Sequence, residues 1–266
     1  MTVLCNLERL DAYFLNDAVW NFPMTTNHIV PNSVINLIRI SGIIILVSIS
    51  YIPLLTYAEN GDEFLFSVDS SPYGKLYKYW TQKWWEWNLA FRKSEHPNVN
   101  YSDAKCGMGQ KAESPVWYLV QPYPGEDPEF VRTCTIPHGK AIITGMQAWD
   151  CNYGALKTKT DEALIDCAER GNDGTVVSVK VDNKTYNKYE EGRRVLSDFF
   201  NVTVIPNNIM DYNKVGNFKA IVDGYYIFLK PLPPGKHVVE YNFDTKNPID
   251  PQYNSYQHGT WNLIIK

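Results

Sequence analysis

An uncharged apolar segment near the N-terminus, Ile40 to Ala58, constrains this chain more than any other feature of its sequence. Its length, about 19 residues, approaches what an α-helix needs to cross a bilayer. Arg39 places a positive charge directly before the segment, and small side chains stand at Thr56 and Ala58 near its end. A positive flank, an apolar centre and a small-residue exit are typical of a signal peptide. The sequence therefore predicts export.

The export segment divides the chain into a leader and one domain. We predict that residues 1–58 are the leader, with its hydrophobic part at 35–58, and that residues 59–266 form a single extracytoplasmic β-rich domain. Cleavage of the leader would make the protein secreted, whereas retention would make residues 35–58 a membrane anchor. Burial of the segment as a core helix is the remaining alternative. Because the stretch before it is long for a signal peptide, Met24 competes with Met1 as the translation start.

Four of the five cysteines follow the apolar segment, at Cys106, Cys134, Cys151 and Cys167. An even set in an oxidising compartment predicts two disulfides. Of the three possible pairings we favour Cys106–Cys134 and Cys151–Cys167, because sequential pairs close the shorter loops. No Cys-x-x-Cys pair is present, which argues against a metal site built on thiolates.

Composition and glycosylation triplets add two further constraints. The net charge is −4 and no basic stripe is present, which argues against a nucleic-acid binder, since such proteins concentrate positive charge against phosphates. The triplets that begin at Asn100, Asn183 and Asn201 fit the N-glycosylation sequon and predict exposed positions. Aromatic residues make up 14% of the chain, which suits both sheet packing and stacking on sugars.

A helix with an aromatic stripe opens the exported part. Ser71-Pro72 predicts the start of the helix. Pro97 predicts its end, because the residue before a proline avoids helical backbone geometry. Six rings recur at steps of three and four and so share one face, namely Tyr73, Tyr77, Trp80, Trp84, Trp87 and Phe91. We expect this face to cover a sheet. Trp85 lies off the stripe and is therefore the better candidate for an exposed ring.

From Pro115 onward the hydrophobic period changes to two, which predicts short strands separated by Pro, Gly and Asn turns. Residues 130–146 read as a hairpin, and residues 218–229 read as a strand broken at Asp223-Gly224. A short inserted helix is predicted at Asp161–Arg170, capped by Thr160. The fold class is therefore mainly β: an antiparallel β-sandwich of the jelly-roll or immunoglobulin-like kind, with an aromatic N-terminal helix and one short inserted helix.

Several short motifs follow one another along the domain: Cys106-Gly-Met-Gly-Gln110, Pro115-Val-Trp-Tyr-Leu119, Arg132-Thr-Cys134, Ile136-Pro-His-Gly-Lys140, Asp223-Gly-Tyr-Tyr226 and Leu232-Pro-Pro-Gly-Lys-His237. With the Trp-rich helix, this order resembles a group of uncharacterised secreted bacterial and archaeal proteins, over about residues 75–266. The resemblance implies a secreted location and one undivided domain, and it implies no activity. The Pro-Gly-Lys-His turn also resembles turns of immunoglobulin-like and jelly-roll modules.

Two pairs of polar residues are the candidates for chemistry. Glycoside hydrolysis needs two carboxylates that flank one bond. Asp150, beside a tryptophan, and Asp223, at the predicted bend, could supply them. His138 and His237 both lie in predicted turns and could meet at one end of a sandwich as metal ligands.

The sequence favours an extracytoplasmic binding or cell-surface module without catalysis, whose partner is a glycan or a surface protein. Trp85, Trp117 and Trp149 are the candidate ligand-binding rings. A secreted carbohydrate-active hydrolase is the first alternative, and a metal-binding protein is the second. No pattern predicts a cofactor, nucleic acid is not expected as a partner, and the membrane is a partner only if the leader is uncleaved.

Overall fold

The computed structural model describes residues 64–122, 127–186, 189 and 192–266. The predicted leader and export segment lie outside these residues. Within the described ranges, no helix has both the length and the apolar character that crossing a bilayer requires.

The described part of the chain is mainly β, as the sequence predicts. The helices are α1 (Tyr77–Asn88) and α2 (Asp161–Arg170). The strands are β1 (Val116–Tyr118), β2 (Glu129–Ile136), β3 (Ala141–Asn152), β4 (Thr175–Val181), β5 (Lys184–Tyr186), β6 (Arg194–Leu196), β7 (Phe200–Val204), β8 (Gly216–Leu229), β9 (Gly235–Thr245) and β10 (Ser255–Ile265).

The strands form two five-stranded sheets. The first has the order β1-β3-β8-β6, with β7 also paired to β8, and the second has the order β2-β10-β9-β4-β5. The pairs β1–β3 and β2–β10 are parallel, so both sheets are mixed and the prediction of purely antiparallel sheets is wrong. Long connections between sequence-distant strands make this possible, because a parallel pair cannot be joined by a tight turn.

The predicted hairpin over residues 130–146 is also wrong. Strands β2 and β3 do follow each other through the turn at Pro137–Gly139, but they belong to different sheets. The turn passes the chain from one sheet to the other. A hydrophobic period of two does not distinguish a hairpin from two consecutive strands in different sheets, because it shows only that one face of each strand is buried.

Helix α1 packs its aromatic stripe against the first sheet. The rings of Tyr77 and Phe228 meet edge to face, with centroids 5.3 Å apart. The Tyr77 hydroxyl donates to the carbonyl of Tyr226, and the Trp84 indole donates to the carbonyl of Leu119 at 2.8 Å. The helix begins later than predicted, because a short turn with Tyr73 at φ 56° precedes it.

Helix α2 and the disulfides agree with the prediction. The helix has the predicted bounds, and the Thr160 hydroxyl accepts the backbone N–H of Ala163, as an N-cap should. The disulfides are Cys106–Cys134 and Cys151–Cys167, the favoured pairing. The second one ties α2 to strand β3. Two structural disulfides indicate an oxidising environment.

The predicted break at Asp223-Gly224 is located on the neighbouring strand instead. Strand β8 runs without interruption, and the irregular register lies in β3 between Gly145 and Ala148. Gly224 has φ +153°, and a Cβ atom there would lie 2.4 Å from the Cα atom of Ala148. The glycine therefore allows the bulged strand to approach closely.

In the second sheet, buried residues alternate with residues that are exposed or partly exposed. On β2 the even-numbered residues are buried and the odd-numbered ones, Thr133 excepted, are exposed. Strands β9 and β10 alternate in the same way. The buried faces of both sheets and of α1 contribute to a single hydrophobic cluster.

Candidate functional site

The two carboxylates predicted for hydrolysis are close in the first sheet but face opposite ways. Asp150 lies on β3 opposite Val222, and Asp223 lies on β8 opposite Trp149. Residues directly opposite in an antiparallel pair share a face, and successive residues alternate. Asp150 therefore points to the face that α1 covers, and Asp223 to the face that α2 covers. They cannot flank one glycosidic bond.

Asp150 is held inside the domain by two donors. The Tyr212 hydroxyl donates to one carboxylate oxygen at 2.7 Å, and the Asn152 amide donates to the other at 3.1 Å. Burial raises the pKa of Asp150 to about 6, against the effect of these two hydrogen bonds. The residue is 5% exposed, so no substrate reaches it without rearrangement.

Asp223 is the centre of a buried polar cluster beneath the C-terminal end of α2. Its carboxylate accepts from Arg194 Nε at 2.7 Å and from the Asn172 amide at 2.9 Å. Arg194 also donates to Asp173 and to the carbonyl of Glu169. Burial raises the pKa of Asp223 to about 6, and the charge of Arg194 opposes the rise. The cluster is therefore a buried ion pair whose hydrogen bonds are made by side chains and carbonyls of the protein itself, as expected of a structural role.

The two candidate metal ligands have different environments. His237 lies within β9, not in a turn, and is buried. Its Nδ1 lies 2.8 Å from Asp182 and its Nε2 lies 3.0 Å from the carbonyl of Pro233, so both ring nitrogens are engaged. His138 is exposed in the turn before β3. In the part of the chain that the structure describes, no three His, Cys, Asp or Glu side chains converge to hold a metal ion.

The three candidate ligand-binding tryptophans are not exposed. Trp85 is 2% exposed and donates to the Tyr226 hydroxyl at 2.9 Å, so the expectation of an exposed ring there is wrong. The residue is buried because α1 packs more than one side against neighbouring elements. Trp149 is half-buried beneath Gly171, and Trp117 is half-buried beside Gly107. None of the three lines the cleft described next.

A cleft of about 460 Å³ lies beside β2. Its walls come from the segment before the 3-10 helix at Asp103–Gly107, from the ends of the segment 122–127, and from the first half of β2. The lining residues are Asn98, Asn100, Tyr101, Pro122, Asp127, Glu129, Phe130, Val131 and Arg132. This volume falls in the range of small-ligand sites.

Arg132 forms the floor of the cleft. Its side chain is 7% exposed, and its guanidinium lies 4.4 Å from the ring centre of Tyr101 and 5.2 Å from that of Phe130. It donates to the Asn98 side-chain oxygen at 2.9 Å and lies 3.4 Å from Asp127. Burial lowers the pKa of Arg132, while Asp127 opposes the change. Two rings and two acceptors hold the cation in one orientation.

A buried histidine positions the Asn98 wall of the cleft. The backbone N–H of Asn98 donates to His96 Nδ1 at 3.1 Å, and His96 Nε2 lies 3.1 Å from the carbonyl of Asn88. Burial lowers the pKa of His96 to about 4, so the ring is neutral and Nδ1 can accept.

A buried glutamine positions the opposite wall. Gln257 donates to the carbonyls of Pro122 and Asp127, at 2.9 and 3.0 Å. Its side-chain oxygen accepts from the Tyr241 hydroxyl at 2.8 Å. One amide on β10 therefore holds both Pro122 and Asp127, which line the cleft.

Asn100 is the one predicted site residue in the cleft. It is exposed, as are the sequon residues Asn183 and Asn201, which lie elsewhere. Tyr101, Phe130 and Arg132 also line the cleft, although none of them is among the site residues predicted from the sequence. The available signal was a charged residue at an inward position of an alternating strand, since a buried arginine requires partners.

The described lining residues of the cleft offer hydrogen-bond donors and acceptors. The lining residues include one arginine, two asparagines and two acidic residues. Such groups can hydrogen-bond to hydroxyls or to peptide groups. The arrangement is suited to binding.

Comparisons with known proteins place few constraints on this chain. No family model matches, and no curated protein matches. The cysteine protease inhibitor EhICP2 from Entamoeba histolytica is similar with a TM-score of 0.23 and 12% identity, over 56% of this chain and 93% of the inhibitor. The solution structure of Amebosin is similar with a TM-score of 0.22 and 11% identity, over 57% of this chain and 100% of the other. Likenesses this weak carry no argument.

Proposed function

We propose that this protein is an extracytoplasmic binding module without catalysis, and that it takes its ligand, a glycan or a partner protein, at the cleft beside β2. The observation that carries the proposal is the cleft itself, in which a buried, clamped guanidinium and several amide and carboxylate groups face one space of about 460 Å³. A few convergent polar groups in a concave site can fix the orientation of a ligand.

Export and the sandwich architecture belong to the same proposal. The leader directs the domain across a membrane, by a cleaved signal peptide or an anchor within residues 35–58. Glycans on the exposed sequons at Asn183 and Asn201, which lie outside the cleft lining, are compatible with that location. The two sheets pack face to face as a sandwich, which the single hydrophobic cluster and the alternation of the second sheet support.

Hydrolysis through Asp150 and Asp223 gains no support from the geometry. The two carboxylates face opposite sides of the first sheet and each is engaged by partners of the protein. Release of reducing sugar by the purified protein, abolished by Asp150→Asn, would replace the binding proposal with the hydrolase.

Binding of the full chain to a glycan array and to immobilised envelope polysaccharides tests the glycan form of the proposal. Glu129→Gln removes a charged acceptor from the rim of the cleft, and Glu240→Gln on the exposed face of the same sheet is the matched control. We expect Glu129→Gln to weaken retention about tenfold, equivalent to roughly 1.4 kcal/mol, and the control to bind as wild type. Equal binding by both variants would place the ligand outside the cleft.

A further inference from the structure

Strand β2 is an edge strand of the second sheet, and its free edge forms part of the cleft. It comes first in the strand order, and β10 is its neighbour on the other side. The carbonyl of Pro128 accepts from His258 in β10, and that of Ile136 accepts from Lys266 just after β10. The carbonyl of Thr133 instead accepts from the Tyr101 hydroxyl on the opposite side. Even-numbered residues of this strand therefore direct their backbone groups to β10, and odd-numbered residues direct theirs to the free edge.

The two halves of the free edge differ. The second half lies against the segment at Asp103–Gly107, which the Cys106–Cys134 disulfide fixes to β2. In the first half, the backbone groups of Glu129 and Val131 face the cleft and pair with no other strand in the described ranges. An edge with unpaired N–H and C=O groups is a template for another strand.

On this basis, and resting on the proposed function, we infer that the ligand of the cleft is an extended peptide segment that adds to the second sheet as a strand along Glu129–Val131. The N–H and C=O groups of both residues supply main-chain hydrogen bonds to the added segment. This is β-augmentation, in which the backbone provides affinity and the flanking side chains provide specificity.

Charge in the cleft specifies one property of the peptide. Asp127 and Glu129 both line the cleft, and Arg132, the one cation among its described lining residues, is buried against its own partners. A basic side chain on the added strand is therefore matched by the exposed Glu129 carboxylate. Asn98 and Asn100 also line the cleft.

Selection from a display library of random twelve-residue peptides, with the full chain as bait, tests the inference. We expect enriched peptides that carry Lys or Arg, and each synthetic peptide should lose at least tenfold in affinity when alternate backbone nitrogens are methylated. Methylation removes donors without altering the protein, so misfolding cannot explain the loss.

Protein variants give an independent measurement. Val131→Pro removes the N–H that faces the cleft, and Val131→Ile keeps it as the matched control. Proline is tolerated on edge strands where its nitrogen is outside the ladder. Glu129→Lys should weaken the basic peptides at least tenfold, while Asp244→Lys on β9 should not.

If peptide binding is insensitive both to methylation and to Val131→Pro, the inference is overturned. Glycan binding lost in Glu129→Gln, without any peptide binding, overturns the inference and leaves the proposed function intact. Binding of neither class overturns both.

Discussion

The Arg194 guanidinium donates to the Asp223 carboxylate at 2.7 Å, and this pair joins β6 and β8 of the first sheet to the end of α2. The Asp223 side chain is 2% exposed and that of Arg194 is 29% exposed. Burial alone would lower the pKa of Arg194, but its pairing with Asp223 and Asp173 raises it. The free-energy cost of removing such a buried carboxylate from water is offset by its interactions with the cation and with the amide donor.

Arg194→Met should therefore destabilise the protein by about 3 kcal/mol, because it leaves a buried carboxylate without its cation. Urea unfolding at pH 7.5, followed by tryptophan fluorescence, measures the change. Lys78→Met is the control, since it breaks the more exposed pair with Asp198, for which at most about 1 kcal/mol is expected. Equal effects of the two variants would show that Asp223 is compensated by other groups.

Asp150 should make stability fall as pH rises through the weakly acidic range. Burial raises its folded pKa to about 6, from an ordinary value of 3.8. The folded state therefore holds a proton that the unfolded state has released, and stability from this group is complete below about pH 4 and is lost as pH rises through about 6. At about 1.4 kcal/mol for each tenfold change in proton affinity, the loss is about 3 kcal/mol.

Asp150→Asn should remove this part of the pH dependence. Unfolding free energies of wild type and variant, measured from pH 4 to pH 7.5, should converge or cross as pH falls. Asp244→Asn, at an exposed position on β9, is the control and should leave the wild-type profile unchanged. A variant profile parallel to wild type would mean that Asp150 stays ionised inside the protein.

Trp85 should be a stability residue and not a ligand contact. Trp85→Ala should cost about 3–5 kcal/mol, because it leaves a cavity at a fully buried position and removes the hydrogen bond to Tyr226. Leu76→Ala, at a 52% exposed position just before α1, should change stability by no more than about 0.5 kcal/mol. Thermal and urea unfolding measure both. A stable Trp85→Ala variant that loses ligand would contradict the buried position.

The two disulfides should differ slightly in how much each contributes to the free energy of unfolding. Cys151–Cys167 closes a separation of 16 residues and Cys106–Cys134 one of 28. Loop-closure entropy predicts a loss of about 3 kcal/mol when the first is replaced by alanines, and about 0.5 kcal/mol more for the second. Urea unfolding of the two double variants checks the order. Peptide mapping without reduction checks the pairing, and free thiols at all four positions would contradict the oxidising location.

Local signals predicted the parts of the fold that depend on local physics. The bounds of α2 followed from Thr160 as a cap, and the strand β4 followed from its alternating residues. The start of α1 was misplaced, because the Ser71-Pro72 signal opens only one short turn. The prediction of an exposed Trp85 ring is wrong because helical spacing shows which face of a helix is most apolar but not how many of its faces are covered by neighbouring elements.

The sequence by itself determined that this chain makes alternating strands, two disulfides and an aromatic helix, because spacing, capping and pairing of near cysteines act over short separations. Only the tertiary structure decided which strands are neighbours. The register of β2 with β10 joins Arg132 to Trp261, far along the chain, and sends Asp150 and Asp223 to opposite faces through β3 and β8. Backbone hydrogen bonds are the same for every residue type, so the choice of edge, and the cleft that forms there, depends on the packing of the whole domain.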